Sequence, residues 1–236
     1  MAAALIVVGG VWLGIAVGVP VAARAVASRT SPAVERVMGD NALSTLERVA
    51  LRPTTLSAVR RAEISQRFEA LTSRVAPEAG CRLVFRSGPT MGPNALALPG
   101  GAIVLLDELV TLSANDDEIV AVLAHEVGHV VERHTMRQLL QTSAAGVLLA
   151  ALVGDVVSVT SCAAALPTFL LNASYSRAFE READQFAVRA LDRMGIDRRR
   201  FLEALERLEA QAGSGAVPGW LSTHPGAEER ARLIAP

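Results

Sequence analysis

Asn115-Asp116-Asp117-Glu118-Ile119-Val120-Ala121-Val122-Leu123-Ala124-His125-Glu126-Val127-Gly128-His129-Val130-Val131 reads as a single helix. Asn115 is a good N-cap, and Asp116, Asp117 and Glu118 put negative charge on the first turn, where unpaired amides and the positive end of the helix dipole favour it. Ile119, Val120, Val122, Leu123, Val127 and Val130 recur at helical spacing and form an apolar face. His125 and His129 are i and i+4, so both imidazoles leave the same face, one above the other, and Glu126 lies a step round the helix. A buried helix carrying two histidines and a glutamate needs something to compensate those polar groups, and a bound metal does so.

Two neutral histidines at this spacing suit one Zn²⁺, with the carboxylate of Glu126 able to act as a base on a water at that metal. A tetrahedral catalytic site takes three protein ligands and keeps one position open, so the chain must supply another. The best candidate downstream lies in Tyr175-Ser176-Arg177-Ala178-Phe179-Glu180-Arg181-Glu182-Ala183-Asp184. Glu180 can ligate the metal while Asp184, one turn on, bonds the outer nitrogen of a ligating histidine and fixes its tautomer. Ala183 between them keeps the helices close.

These two motifs, in this order, resemble those of the membrane-associated gluzincin metallopeptidases, the family of HtpX, the CAAX prenyl protease and the mitochondrial protease OMA. Two further segments extend the resemblance over roughly Cys81 to Ala235: Asn94-Ala95-Leu96-Ala97-Leu98-Pro99-Gly100-Gly101-Ala102-Ile103-Val104, and Ser222-Thr223-His224-Pro225. The resemblance implies zinc ligation by His125, His129 and Glu180, one ion per chain, with Glu126 as general base and Asp184 behind a ligand. It also implies an edge strand at Asn94, Ala95, Leu96 and Ala97 that pairs with an extended peptide substrate through main-chain hydrogen bonds. His224 would approach the zinc, stabilise the oxyanion of the reaction, or cap the following helix. Tyr175 and Arg177 are further candidates for holding the oxyanion, Arg177 being equally well read as a surface ion-pair residue. His134 reads as structural.

The 236 residues are 51% hydrophobic but only 4% aromatic, so alanine, valine and leucine must fill the core of one catalytic domain with membrane-associated parts. A net charge of −1, with arginines scattered among acids, gives no electrostatic case for nucleic acid. Cys81 and Cys162 make no disulfide framework and sit in no Cys-x-x-Cys pair, so they read as buried thiols. Ala2 to Ala23 carries no charge and is long enough to span a bilayer, which suggests an anchor within residues 1–27 and a peptidase domain over 28–236. A signal peptide cut after Ala25-Val26-Ala27 competes with it, against the lack of a positive residue ahead of the apolar core. Arg24 and Arg29 only weakly favour holding that end in the cytoplasm. A second apolar stretch, about 142–171, has Asp155 as its only charge. It reads as a hairpin of Ser143 to Val153 and Val156 to Leu170 that dips into the membrane, guards the active site or packs in the core.

Elsewhere helices are expected from Ser31-Pro32 to about Ala50, and over Thr55 to Val75, Asp107 to Leu112, Asn115 to His134, Ser174 to Met194, Arg198 to Ala212 and Ala227 to Leu233. Short strands are expected at Arg82 to Arg86, Ala95 to Leu98 and Ala102 to Leu105, and a flexible loop at Gly213 to Gly219. The predicted architecture is a mainly helical α+β gluzincin (zincin-like) fold whose small sheet borders the cleft with its edge strand. The expected activity is zinc-dependent endopeptidase action at a membrane, in a bacterial cell envelope, and the resemblance implies misfolded or membrane-associated proteins as substrates. The alternatives are a membrane-tethered chaperone or assembly factor with a structural zinc, and a latent peptidase in which His224 holds the open position.

Overall fold

The structure is a computed structural model that describes residues 9, 10, 12–153, 175–213, 219–224, 230 and 234; of 144–153, 212 and 213 it describes the backbone alone. A π-helical turn at Gly14–Gly18 runs into α1 (Val19–Arg29), followed by α2 (Pro32–Val49) and α3 (Ala58–Val75). Ser31 and Ser57 cap α2 and α3, accepting from Val34 N at 3.3 Å and Arg60 N at 3.1 Å. Four strands follow the order β1 (Arg52–Pro53), β2 (Arg82–Ser87), β4 (Ala102–Leu106), β3 (Ala95–Ala97) across the sheet. The remaining helices are α4 (Asp107–Leu112), α5 (Asp116–Val131), α6 (His134–Val153), α7 (Arg177–Met194), α8 (Arg199–Gly213) and the short α9 (Trp220–Thr223). The two-residue β1, antiparallel to β2, has no pattern long enough to be seen in the sequence.

β4 explains the layering. It runs parallel to β2 and antiparallel to β3, and all five of its residues are buried, as an unbroken apolar run in an interior strand requires. Its side chains alternate: Ile103 and Leu105 join the core built from α3, α5, α7 and α8, and Ala102, Val104 and Leu106 join a second cluster beneath α2. β3 is the edge strand. Leu106 N donates to Asn94 O and Leu98 N to Ala102 O, so by the antiparallel alternation Ala95 and Ala97 turn their main-chain groups away from β4.

Two expectations are revised. The helix expected to reach His134 ends at Val131, because Arg133 takes the left-handed conformation (φ 53°) and the chain restarts as a new helix at His134. A non-glycine residue there is strained, and the Arg133 guanidinium is tied to Ala27 O, to Thr30 O at 3.1 Å and to Glu35 Oε1 at 3.3 Å. The first arm of the expected hairpin is no separate helix but the second half of α6. The second arm, Asp155 and Cys162 lie outside the described residues, as do residues 1–8 of the expected anchor. Trp12, Leu13, Ile15 and Val17 are exposed, while Val19, Ala23 and Ala27 of α1 are buried on the side that meets α6. Among the described residues no helix is long and apolar enough to cross a membrane. Cys81 is a half-buried free thiol, its pKa pushed up to about 11 by burial.

Candidate active site

The helix carrying the two histidines is set by its own first turn. Asn115 Oδ1 accepts from Glu118 N at 3.1 Å, and the buried Glu118 carboxylate reaches back to Ala114 N at 2.9 Å. Beyond this cap α5 lies against α7 more closely than against any other element, and Gly128 makes that possible. A Cβ built on Gly128 would stand 3.0 Å from Ala183 Cα and 3.1 Å from Ala183 O, so only glycine lets the two backbones approach. The small pair Gly128 and Ala183 thereby brings Glu180 and Asp184 up to the histidines.

His125, His129, Glu180 and His224, all buried, place one donor atom each within 4.8 Å of one another. His129 Nε2 is 2.8 Å from His125 Nε2, which is 3.3 Å from His224 Nδ1 and 3.6 Å from Glu180 Oε2. His224 Nδ1 in turn is 3.1 Å from Glu180 Oε1. Glu126 is wholly buried beside them: Trp220 Nε1 donates to its Oε1 at 2.9 Å, and its Oε2 has no hydrogen-bond partner. Burial pushes the Glu126 carboxyl up to about 7 and that of Glu180 up to about 8. The same desolvation holds His125 and His129 well below the usual imidazole range and His224 down at about 4, so these rings are neutral and their nitrogen lone pairs are free to ligate. Three imidazoles and a carboxylate converging in a buried pocket, beside an orphaned carboxylate oxygen, fit a divalent cation of zinc's preference.

The outer contacts are as specific. Asp184 Oδ1 lies 2.9 Å and Arg230 Nη2 3.3 Å from His125 Nδ1; a proton on Nδ1 directed at Asp184 leaves Nε2 for a metal. Arg230, 2% exposed, bonds both Asp184 oxygens at 2.7 and 2.6 Å and pairs with Glu180 Oε2 at 3.0 Å, outside hydrogen-bonding geometry. Tyr175 stacks on the His129 ring at 4.0 Å between centroids, and its hydroxyl meets Thr135 Oγ1 at 2.7 Å. Thr135 Oγ1 donates to Ala97 O at 2.8 Å, which links Tyr175 to the edge strand. Asn94, Ala95, Leu96 and Ala97 are buried next to α5, and Asn94 Oδ1 accepts from Ala95 N at 2.8 Å. Arg177, the first residue of α7, is exposed.

The structure therefore brings together His125, Glu126, His129, Glu180, Asp184, His224 and Tyr175. Three residues were not singled out from the sequence as part of the site: Trp220 against Glu126, Arg230 behind Asp184, and His134, whose Nδ1 is 3.0 Å from His129 Nδ1. The arginine six positions after His224 was a weak signal within an expected helix. The tryptophan and His134 had none, since their roles depend on how distant segments fold together.

Two histidines one helical turn apart, a carboxylate beside them and an acidic residue from a second helix define a metallopeptidase site of the zincin kind, and this chain belongs to peptidase family M48, which it matches over residues 59–235. It is similar to the mitochondrial metalloendopeptidase OMA1 of Saccharomyces cerevisiae, with 33% identity over 151 residues covering 60% of this chain and 42% of the relative. It is also similar to two proteins of Escherichia coli. The beta-barrel assembly-enhancing protease is 32% identical over 58% of this chain and 30% of its own length, and the metalloprotease YcaL is 32% identical over 61% and 58%. The chain thus spans less than two thirds of the length of each of these relatives.

Proposed function

We propose that this chain is a zinc-dependent endopeptidase that cleaves extended segments of protein substrates at or near a membrane. The observation that carries the reading is Glu126: a fully buried carboxylate with one oxygen held by Trp220 and the other unpaired, beside four converging metal donors. A purely structural metal site has no need of it. His125, His129 and Glu180 are assigned as ligands to one zinc per chain, and Asp184 as the partner that orients His125. When bound, the ion would activate a water and polarise the scissile carbonyl. Glu126 takes the proton of that water and passes it to the leaving amine. The substrate adds to the outer edge of β3, displacing Asn94 Oδ1 from Ala95 N and Thr135 Oγ1 from Ala97 O, and His224, Tyr175 and Arg177 are candidates for steadying the developing oxyanion.

The names of the relatives, a mitochondrial metalloendopeptidase and a beta-barrel assembly-enhancing protease, support a role in protein quality control. We assign residues 28–236 to the peptidase domain and 1–27 to a membrane anchor, in a bacterial cell envelope, with misfolded or membrane-associated proteins as substrates and no nucleic-acid partner. The test compares the wild type with Glu126→Gln for zinc content and cleavage of an unfolded model protein, with a chelator control. Zinc in both and cleavage by the wild type alone supports the reading. Zinc in both and cleavage by neither favours a chaperone or a latent enzyme, and zinc in neither refutes it.

One observation favours latency as a second reading: His224 sits among the donors, its Nδ1 3.3 Å from His125 Nε2 and 3.1 Å from Glu180 Oε1, where the open position of a catalytic site belongs. Replacement of His224 by alanine then raises cleavage; unchanged or lower activity counts against latency.

A further inference from the structure

The strained turn at Arg133 folds His134 back beneath the metal-facing helix, fully buried and stacked on Phe179 (4.4 Å between centroids, 14°). Its two ring nitrogens are both engaged. Nδ1 lies 3.0 Å from His129 Nδ1, and Nε2 lies 2.9 Å from Glu182 Oε2, which Arg137 Nη1 also holds at 2.9 Å. Glu132, His134 and Glu182 together resemble a second set of metal donors. The Arg137 guanidinium, 2.9 Å from Glu182 and 3.9 Å from Glu132, makes that position unsuited to a cation, so the chain of contacts is a hydrogen-bond relay.

We infer that Glu182, acting through His134, selects the tautomer of His129 that can ligate a metal. A neutral imidazole carries one N–H, and a carboxylate held by an arginine only accepts. Glu182 therefore requires the proton of His134 on Nε2, which leaves His134 Nδ1 as an acceptor. His129 must then place its own proton on Nδ1 to donate to it, and its bare Nε2 faces the equally bare Nε2 of His125 at 2.8 Å, two acceptors set as a cation site presents them. With the opposite polarity His134 would donate from Nδ1, His129 would carry its proton on Nε2, and that nitrogen could not bind a metal. Asp184 does for His125 by direct contact what Glu182 does for His129 through one intervening ring. His134 and Glu182 are thus positioning residues; the inference rests on the assignment of His129 as a ligand.

The tautomer is readable without catalysis. Long-range ¹H–¹⁵N correlation spectra of the full chain, histidine-labelled and metal-free, report which nitrogen of His129 carries the proton. The expected result is Nδ1–H in the wild type and a gain of the Nε2–H form in Glu182→Ala. Zinc affinity, by competition with a chromophoric chelator, is expected to fall about tenfold in Glu182→Ala and by roughly 10–100-fold in His134→Phe, which keeps the ring stack but not the acceptor. His134→Asn, whose amide oxygen replaces Nδ1, recovers most of the loss, a rescue that a purely packing role would not give. The Glu182 side chain is 36% exposed, so its variant remains informative even if His134→Phe does not fold. An Nε2–H His129 in the metal-free wild type, or wild-type zinc affinity in both Glu182→Ala and His134→Phe, overturns the relay. A wild type that binds no zinc but shows Nδ1–H on His129, lost in Glu182→Ala, refutes the peptidase reading and leaves the relay standing.

Discussion

Replacing Gly128 by alanine adds one methyl at the closest approach of α5 and α7, and two opposing magnitudes decide the outcome. The new Cβ would stand 3.0 Å from Ala183 Cα and 3.1 Å from both Ala183 O and Phe186 Cβ. These neighbours include backbone, so the helices must separate by a few tenths of an ångström to reach ordinary contact. Overpacking of this kind costs about 1–3 kcal/mol. The gain in helix propensity from glycine to alanine offsets about 1 kcal/mol. The net loss is therefore about 0–2 kcal/mol, a fall of at most about 8 °C in Tm for a domain of this size. The site feels the shift as well as the fold, because α5 carries His125 and His129 while α7 carries Glu180, and a separation of a few tenths of an ångström takes up most of the roughly 0.5 Å that productive geometry allows. A thermal melt of the metal-free protein, paired with a zinc competition titration, separates the two effects. The expected result is a modest change in Tm with zinc affinity reduced about tenfold or more. Removing the Ala183 methyl in a Gly128→Ala/Ala183→Gly double variant brings no recovery, since the clash is with main chain. Wild-type zinc affinity in Gly128→Ala, or full rescue in the double variant, would refute the reasoning.

Trp220→Phe removes the donor to Glu126 Oε1 while keeping an aromatic ring against His224, with which Trp220 stacks at 4.2 Å. A hydrogen bond to the carboxylate favours its charged form, and burial has already pushed this group up to about 7. Because a general base must be ionised, the acidic limb of kcat/KM is expected to move to higher pH in Trp220→Phe; a pH profile superimposable on the wild type counts against Glu126 as the base. Metal removal should destabilise the fold: zinc at about 100 times its Kd contributes about 2.7 kcal/mol, or roughly 5–11 °C in Tm. A melt unchanged by chelator and by added zinc would exclude a preformed metal site.

How far the sequence foretold this arrangement depended on whether each feature was local. Asn115, the acidic first turn and the i, i+4 histidines act within one helix, and their reading agrees with the cap and shared face observed. The strands expected at Ala102 to Leu105 and Ala95 to Leu98 agree to within a residue, because Gly and Pro turns bound them, whereas the edge position of Ala95 to Ala97 was implied by the family resemblance alone. The break at Arg133 was not legible: no glycine or proline marks it, and its left-handed turn depends on contacts with Ala27, Thr30 and Glu35, about a hundred positions earlier. His134 looked structural for the same reason, since nothing in its own segment reveals that it lies between His129 and Glu182. Arg230 and Trp220 likewise gain their meaning only where the C-terminal segment closes over α5 and α7.

The donors of the cluster come from positions 125, 129, 180 and 224, so a bound ion would join chain segments made far apart in time. In polymer terms it is a cross-link that closes loops of widely different length, and such clips lower the entropy of the unfolded chain most where the loop is long. During synthesis the two histidines of α5 emerge first, and they have no carboxylate ligand until residue 180 has followed. Metal loading would therefore be a late event in the life of each molecule, and the scaffold around His125 and His129 would keep their rings correctly turned until the rest of the ligand set arrives.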